Sequence, residues 1–561
     1  MKRVSRLLPL LLLASTALGQ QSYDVVIRNG HIIDGTGSPW YSGDVGIRAG
    51  RIAAIGNLSR ARGRRVIDAK GMVVSPGFID MMGRSELNIL VEPHLPSKIF
   101  QGITTEITGE GDSVAPLNDA LIQANRIRYQ HLQITPDWRT LDQYSARLRK
   151  QGIAINMATT VGATQVRRFV LGDADRAPTA AQLTEMKLLV RQAMLQGAMG
   201  VSSGLEYPPA PYASTEELIA LASEAAKFGG IYATHIRTEG EGEMAALDEA
   251  IRIGREAGLP VEIFHIKTEG KPSFGKMPDV VAKIETARKA GLDISANTYA
   301  YPAWANRLSA AIPPWAQDGG DAKMIERLRD PATRSRIRQD MQTPSAKWEN
   351  EWQEIEGAQD ILILAVHNPE LFPLRGKSLA DVAKIWNEDP MDALFDLLIK
   401  DGAFTSVAIF GMSEPDIVLA LQQPWVSIGC DMEGTSPEGP LSKEPVHPRG
   451  YGTFPRVLRK YVREEKKLTL PDAIRKFTAL PAQRMRLVDR GVLKKGIWAD
   501  IVVFDPERVR DMATFENPHQ LAQGMQYVLV NGVPVIDEGK ATKALPGKFL
   551  RGPGYRPNPQ R

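Results

Sequence analysis

Cysteine is almost missing: the 561-residue chain has one, Cys430. A single thiol forms no intramolecular disulfide and excludes a zinc site built on cysteines, so any metal must be held by histidine and carboxylate side chains. Histidine is scarce too, at eight residues. No excess of one charge sign is present, since 69 basic residues stand against 65 acidic. Three of the cations, Lys2, Arg3 and Arg6, lie in the first six positions, and no basic run elsewhere offers a nucleic-acid surface. A nucleic-acid partner is not expected. Hydrophobic residues at 43% and charged residues at 24% exclude a disordered chain, a collagen and a polytopic membrane protein.

The amino terminus has the three parts of a secretory signal peptide: a basic start, an apolar stretch from Leu7 to Leu18, and small residues at Ala17 and Gly19. The stretch is too short to span a bilayer comfortably, and no cysteine follows it to carry a lipid. The reading is a signal peptide over 1–19 and an exported protein, periplasmic or secreted, with no membrane attachment after cleavage.

Two strand-rich ends flank the chain. Asp24-Val-Val-Ile-Arg-Asn-Gly-His31 and Gly43-Asp-Val-Gly-Ile-Arg-Ala-Gly50 resemble in texture Ala499-Asp-Ile-Val-Val-Phe-Asp505 and Gln526-Tyr-Val-Leu-Val-Asn-Gly-Val-Pro-Val-Ile536. Neither end buries a core alone, so residues 20–75 and 487–550 are expected to form one small β-sandwich domain. Residues 551–561 read as a tail. Between the ends, short apolar strands alternate with helical stretches, at 77–81, 104–108, 154–159, 199–203, 231–235, 261–266, 292–297 and 426–430. This α/β alternation over 76–486 predicts a TIM-like (β/α)8 barrel. The gap of about 303–424 is too long for one connection and predicts a helical insert over the active face, with Trp348 and Trp352 as packing residues.

In such a barrel the chemistry sits at the carboxyl ends of the strands. The fifth and sixth strands end in His235 and His265, and the eighth in Asp431. Neighbouring parallel strands bring two such histidines to about 5 Å at the backbone, a spacing at which both rings reach one Zn²⁺.

These residues lie in strings that resemble the N-acyl-D-amino-acid deacylases (D-aminoacylases) of the amidohydrolase superfamily. The strings are Val26-Ile-Arg-Asn-Gly-His-Ile-Ile-Asp-Gly-Thr-Gly37, Pro76-Gly-Phe-Ile-Asp80, Gly204-Leu-Glu-Tyr-Pro-Pro-Ala210, Thr234-His-Ile-Arg-Thr-Glu239 and His447-Pro-Arg-Gly-Tyr-Gly-Thr-Phe-Pro-Arg456. The resemblance covers nearly the whole mature chain. It implies zinc-assisted amide hydrolysis, His235 and His265 as metal ligands, and Asp431 as general base and acid.

Two departures from the family pattern matter. A His-x-His pair usually follows Phe-Ile-Asp, and here Met82 and Arg84 stand in its place. A thioether is a poor zinc ligand and a guanidinium does not lose its proton to become one. The family's bridging cysteine falls near Thr108-Gly-Glu-Gly-Asp112, where Glu110 is the first substitute and Asp112 the second, and a salt bridge from Arg84 to Glu110 is the competing use of that carboxylate. The expectation is one zinc per chain on Glu110, His235 and His265. Lys267, Arg449 and Tyr299 are the candidates to bind a small-molecule substrate carrying a carboxylate. Glu206 and Tyr207 read as structural, and His447 as a second-rank pocket residue. Two alternatives stay open, an exported binding protein that has lost catalysis and a dipeptidase or cyclic amidase of the same superfamily. Oligomeric state is left open.

Overall fold

A computed structural model of the chain describes residues 22–345, 348–443 and 445–557. The signal-peptide reading of 1–19 lies outside them.

All eight expected barrel strands are present, as Phe78–Asp80, Ile103–Thr108, Asn156–Thr159, Gly200–Gly204, Ile231–His235, Val261–Ile263, Ile294–Thr298 and Val426–Ile428. Every residue in them is buried, and the polar ones among them, such as Ser202 and Ser203 of the fourth strand, are hydrogen-bonded inside the barrel. They form two parallel arcs, strands one to three and strands four to eight, the fourth preceded by the two-residue strand Val161–Gly162. The arcs meet where Met81 N donates to Ile428 O at 3.1 Å and Met199 N to Thr159 O at 2.9 Å, which closes the barrel. Helices such as Thr215–Ala226 and Glu243–Ala257 separate the strands; the Ser214 hydroxyl caps the first by accepting from Glu217 N, as its sequence spacing suggests.

Both chain ends enter one nine-stranded sheet. The junction is the antiparallel pairing of Val73–Pro76 with Ile501–Phe504, Pro76 opposite Ile501. Its core joins Val25, Ile27, Val45, Ile47 and Val74 to Ile501, Val503 and Leu529. The segment after this sheet runs along the barrel: Leu550 N donates to Met157 O at 2.7 Å, Gly552 N to Gly197 O at 2.8 Å and Arg556 N to Leu195 O at 3.0 Å.

The insert differs from the helical expectation. Ala303–Arg307, Ile361–Ala365 and Ser406–Phe410 form a three-stranded antiparallel sheet, with helices such as Asp321–Arg329, Pro331–Met341 and Pro390–Asp401 around it. Ile361-Leu-Ile-Leu-Ala365 and Ser406-Val-Ala-Ile-Phe410 are short runs rich in β-branched and aromatic residues, which suit strands. The insert packs on the loops after strands five and six, through Gly270 N to Gly411 O at 2.9 Å and Glu239 N to a Glu349 carboxylate oxygen at 2.6 Å. Trp348 and Trp352 pack against the main core.

Candidate active site

Three strand ends and one loop supply the site. His235 closes the fifth strand, in register with Gly204 of the fourth. His265 follows the sixth strand, and Asp431 follows the eighth, both in the left-handed backbone region at φ 34° and 49°. That conformation costs about 1–2 kcal/mol for a non-glycine residue. Neighbouring strands offset it: His265 N donates to Asn297 Oδ1 at 3.0 Å, and Asp431 N to Met82 O at 2.8 Å. Glu110 stands between Gly109 and Gly111, at φ 95° and 63°. A side chain on Gly111 would press on the backbone of Gly204, so the two glycines let this loop lie against the fourth strand end.

The geometry brings Glu110, His235 and His265 together, with one ligand-type atom from each within 4.8 Å of the others. Oε1 of Glu110 lies 3.2 Å from Nδ1 of His235 and 3.2 Å from Nε2 of His265. Behind each ring stands a further carboxylate. Glu206 approaches Nε2 of His235 to 2.8 Å, at an angle too poor for a hydrogen bond, and Glu239 Oε1 lies 3.2 Å from Nδ1 of His265. Two imidazoles and a carboxylate facing inward, each ring backed by a carboxylate, match a catalytic zinc set and the outer contacts that orient such ligands. This donor set fits the metal. Asp112 is exposed and outside the cluster.

The position expected for a second metal does not fit one. Met82 is buried in an apolar cluster with Ile79, Ile107 and Phe264. Arg84 forms a salt bridge with Oε2 of Glu110, and its Nε lies 3.2 Å from Asp431 Oδ1. The pairing of Arg84 with Glu110 was the competing use of that carboxylate; it engages Oε2 and leaves Oε1 facing the two histidines. Below Arg84, Lys98 is wholly buried, with Nζ 2.7 Å from Asp80 and 3.3 Å from Glu106.

Charge shapes the site. Burial pushes the Asp431 carboxyl up, but Arg449 and Arg84 outweigh it and hold the group down at about 2. Burial, reinforced by the Lys267 ammonium, brings His265 down to about 4, so its ring is neutral at neutral pH. Burial opposes the charge on His235, yet Glu239 and Glu206 outweigh it and raise that imidazole. Burial and Glu206 keep the Tyr207 phenol protonated, with its ring edge-on to His235 at 5.2 Å between centroids.

Of the residues expected at the substrate, Lys267 is buried between Glu239 and Glu269, with Nζ 3.3 Å from Glu269 and 2.8 Å from Nδ1 of His265. Arg449 lies over the Tyr299 ring at 4.5 Å and reaches Asp431 through Nη2 at 2.8 Å. Its Nε and Nη1 are buried without a hydrogen-bond partner. His447 uses both ring nitrogens on backbone, Nδ1 accepting from Arg449 N and Nε2 lying 3.0 Å from Ala303 O, so it supports Arg449. The sequence reading missed Glu206 and Glu239 as partners of the histidines. Glu239 lay in the Thr234–Glu239 string, four residues beyond His235. Nothing local marked Lys98.

A closed parallel barrel carrying paired histidines and a strand-eight aspartate defines an amidohydrolase, and residues 445–536 match the model of the Amidohydrolase family. The chain is 36% identical over 539 residues to the D-aminoacylase of Alcaligenes xylosoxydans xylosoxydans, covering 94% of this chain and 98% of that protein. The structure of N-acyl-D-glutamate deacylase from Bordetella bronchiseptica, complexed with zinc and a phosphonate mimic of the tetrahedral intermediate, superposes with a TM-score of 0.79 at 34% identity, over 95% of this chain and all of that one. A D-aminoacylase structure concerned with one-metal activation and second-metal attenuation of a binuclear centre gives 0.78 at 34% identity, over 94% of this chain and all of that one. The chain belongs to the D-aminoacylase family of amidohydrolases.

Proposed function

We propose that the protein is an exported, zinc-dependent hydrolase of the amide bond of N-acyl-D-amino acids, with one metal ion per chain. The observation that carries this reading is the convergence of Glu110, His235 and His265 beside Asp431, in a chain that covers 98% of a D-aminoacylase. Glu110, His235 and His265 hold the ion; Glu206 and Glu239 orient the two rings. Zinc in this set supplies a Lewis acid that acidifies a water molecule and polarises a carbonyl oxygen. Asp431, kept ionised by Arg449 and Arg84, takes the water proton and returns it to the leaving amine. The unpartnered Nη1 of Arg449 offers a charged donor to the substrate carboxylate, with Tyr299 packed beneath the guanidinium. Lys267, already paired with two glutamates, positions His265 and Glu239.

The test is elemental mass spectrometry on the purified mature chain beside Glu110→Gln and His265→Ala, with hydrolysis of a panel of N-acyl-D- and N-acyl-L-amino acids. About one zinc per chain, lost in both variants, together with hydrolysis of the D series, is the expected result. A chain that binds no zinc and leaves the whole panel intact overturns the reading in favour of a binding protein.

A further inference from the structure

Beyond the histidine site lies a second group of buried carboxylates that this chemistry does not use. Glu269 belongs to the loop after the sixth strand, whereas Glu349 and Glu354 come from the insert around Glu351–Glu354. One oxygen from each lies within 4.8 Å of the others. The three residues are 2%, 4% and 7% exposed. Two ligands of one ion held at about 2.3–2.6 Å span no more than about 5 Å, so this spacing is that of a shared hard cation.

The bonding of these side chains points the same way. Oε1 of Glu349 and Oε2 of Glu354 are buried and meet no N–H or hydroxyl donor among the described residues; the two carboxyls face each other closely enough to share a proton when no cation lies between them. The only ion pair of the trio among the described residues runs from Glu269 to Lys267, whose ammonium is shared with Glu239. Leaving buried carboxylate oxygens unpaired costs several kcal/mol each, which selects for a compensating charge. Two glycines of the surrounding backbone leave the room these side chains occupy. A Cβ on Gly240 would collide with the carboxylates of both Glu349 and Glu354, and one on Gly270, at φ 79°, would strike the Glu354 side chain. Burial and the neighbouring carboxylates push Glu354 and Glu269 far above the usual carboxylate range, so that without a cation they hold protons instead.

We propose that Glu269, Glu349 and Glu354 form a second metal site, specific for a hard divalent cation of the calcium class, that fastens the insert to the loop after the sixth barrel strand. An all-oxygen donor set suits calcium and other hard cations over metals that favour nitrogen and sulfur ligands. The ion neutralises the unpaired carboxylates and fixes Glu269, which in turn holds Lys267 beside His265. The site shares no ligand with the histidine cluster, so it stands or falls apart from the zinc assignment.

The test uses the full mature chain, stripped of metal and reloaded with zinc. Calcium, magnesium and manganese salts are then titrated singly, with bound metal read by elemental analysis after equilibrium dialysis. About one calcium per chain is expected, together with a rise in Tm of about 2 °C or more at a hundredfold excess over Kd. Tb³⁺ provides a second readout: Trp348 and Trp352 neighbour the insert ligands in sequence, and their excitation should sensitise terbium emission that calcium quenches and zinc does not. In Glu349→Gln/Glu354→Gln, calcium binding and the Tm response should both vanish while zinc content stays at one. If the wild-type chain retains no hard cation, or binds calcium equally well in the double variant, the proposal fails. A double variant that is more stable than wild type in calcium also overturns it, since the carboxyls would then be a protonated pair.

Discussion

Arg449 holds Asp431 through a single nitrogen of its guanidinium, Nη2 to Oδ2 at 2.8 Å, and leaves Nε and Nη1 buried and unpartnered. One arginine thereby keeps the Asp431 carboxyl ionised and still has Nη1 free to donate to an anion. Arg449→Lys retains the charge but loses the planar set of donors that serves both contacts at once. It should lower kcat/KM for N-acyl-D-amino acids by about 10–100-fold, chiefly through KM, with zinc content unchanged. An unaltered KM would show that the carboxylate is received elsewhere.

Arg84 lies 3.2 Å from the same carboxylate and adds to its acidity. Removing it leaves burial, which raises the Asp431 pKa, opposed by Arg449 with less help. As the proposed general base, Asp431 serves only when ionised, so activity is expected to fall as pH drops through its pKa. In Arg84→Met the acid limb of kcat/KM, measured in excess zinc, should move up by about one pH unit. A limb that stays put or moves down contradicts the arrangement.

Met82 and Arg84 occupy the places of the family's His-x-His pair. The double substitution Met82→His/Arg84→His should raise bound zinc from one per chain toward two, by elemental analysis. Arg84→His alone should leave it at one, because the apolar cluster around Met82 supplies no second ligand. A wild-type chain that already binds two ions at its histidine site would contradict the expectation.

Lys98 tests the scaffold below the site. Its ammonium is fully buried between Asp80 and Glu106 and donates to Met432 O at 2.8 Å, which ties the first strand to the loop after the eighth. Lys98→Met leaves two carboxylates without their cation and should destabilise the chain by about 3–5 kcal/mol, read as a lower urea midpoint. A midpoint within error of wild type would show that the pair is dispensable.

The eight barrel strands were legible because each is a short run of β-branched, small or apolar residues bounded by turn signals, with helical stretches between most of them. His235, His265 and Asp431 were legible for the same reason: a polar residue closing such a run stands out. Glu110 was separable from Asp112 only once its flanking glycines had placed it on the fourth strand end. Glu206 read as structural because its tie to His235 joins two strands and leaves no trace in local spacing. Lys98 was silent, since it meets Met432 from far along the chain and no periodicity encodes that contact. The insert misled because the runs at 361–365 and 406–410 are separated by helices, so the pairing that makes them a sheet is not local.

The sheet built from both ends of the chain also fixes the order in which this protein becomes complete. Val73–Pro76 leaves the ribosome early, but its antiparallel neighbour Ile501–Phe504 is synthesised only after the whole barrel. Until then one edge of the early strands is open to solvent and to other chains, and such distant pairings close slowly. Biogenesis should therefore be the vulnerable stage: nascent chains stalled short of residue 501 are expected to aggregate or to recruit chaperones, whereas the finished protein has no such exposure at this seam.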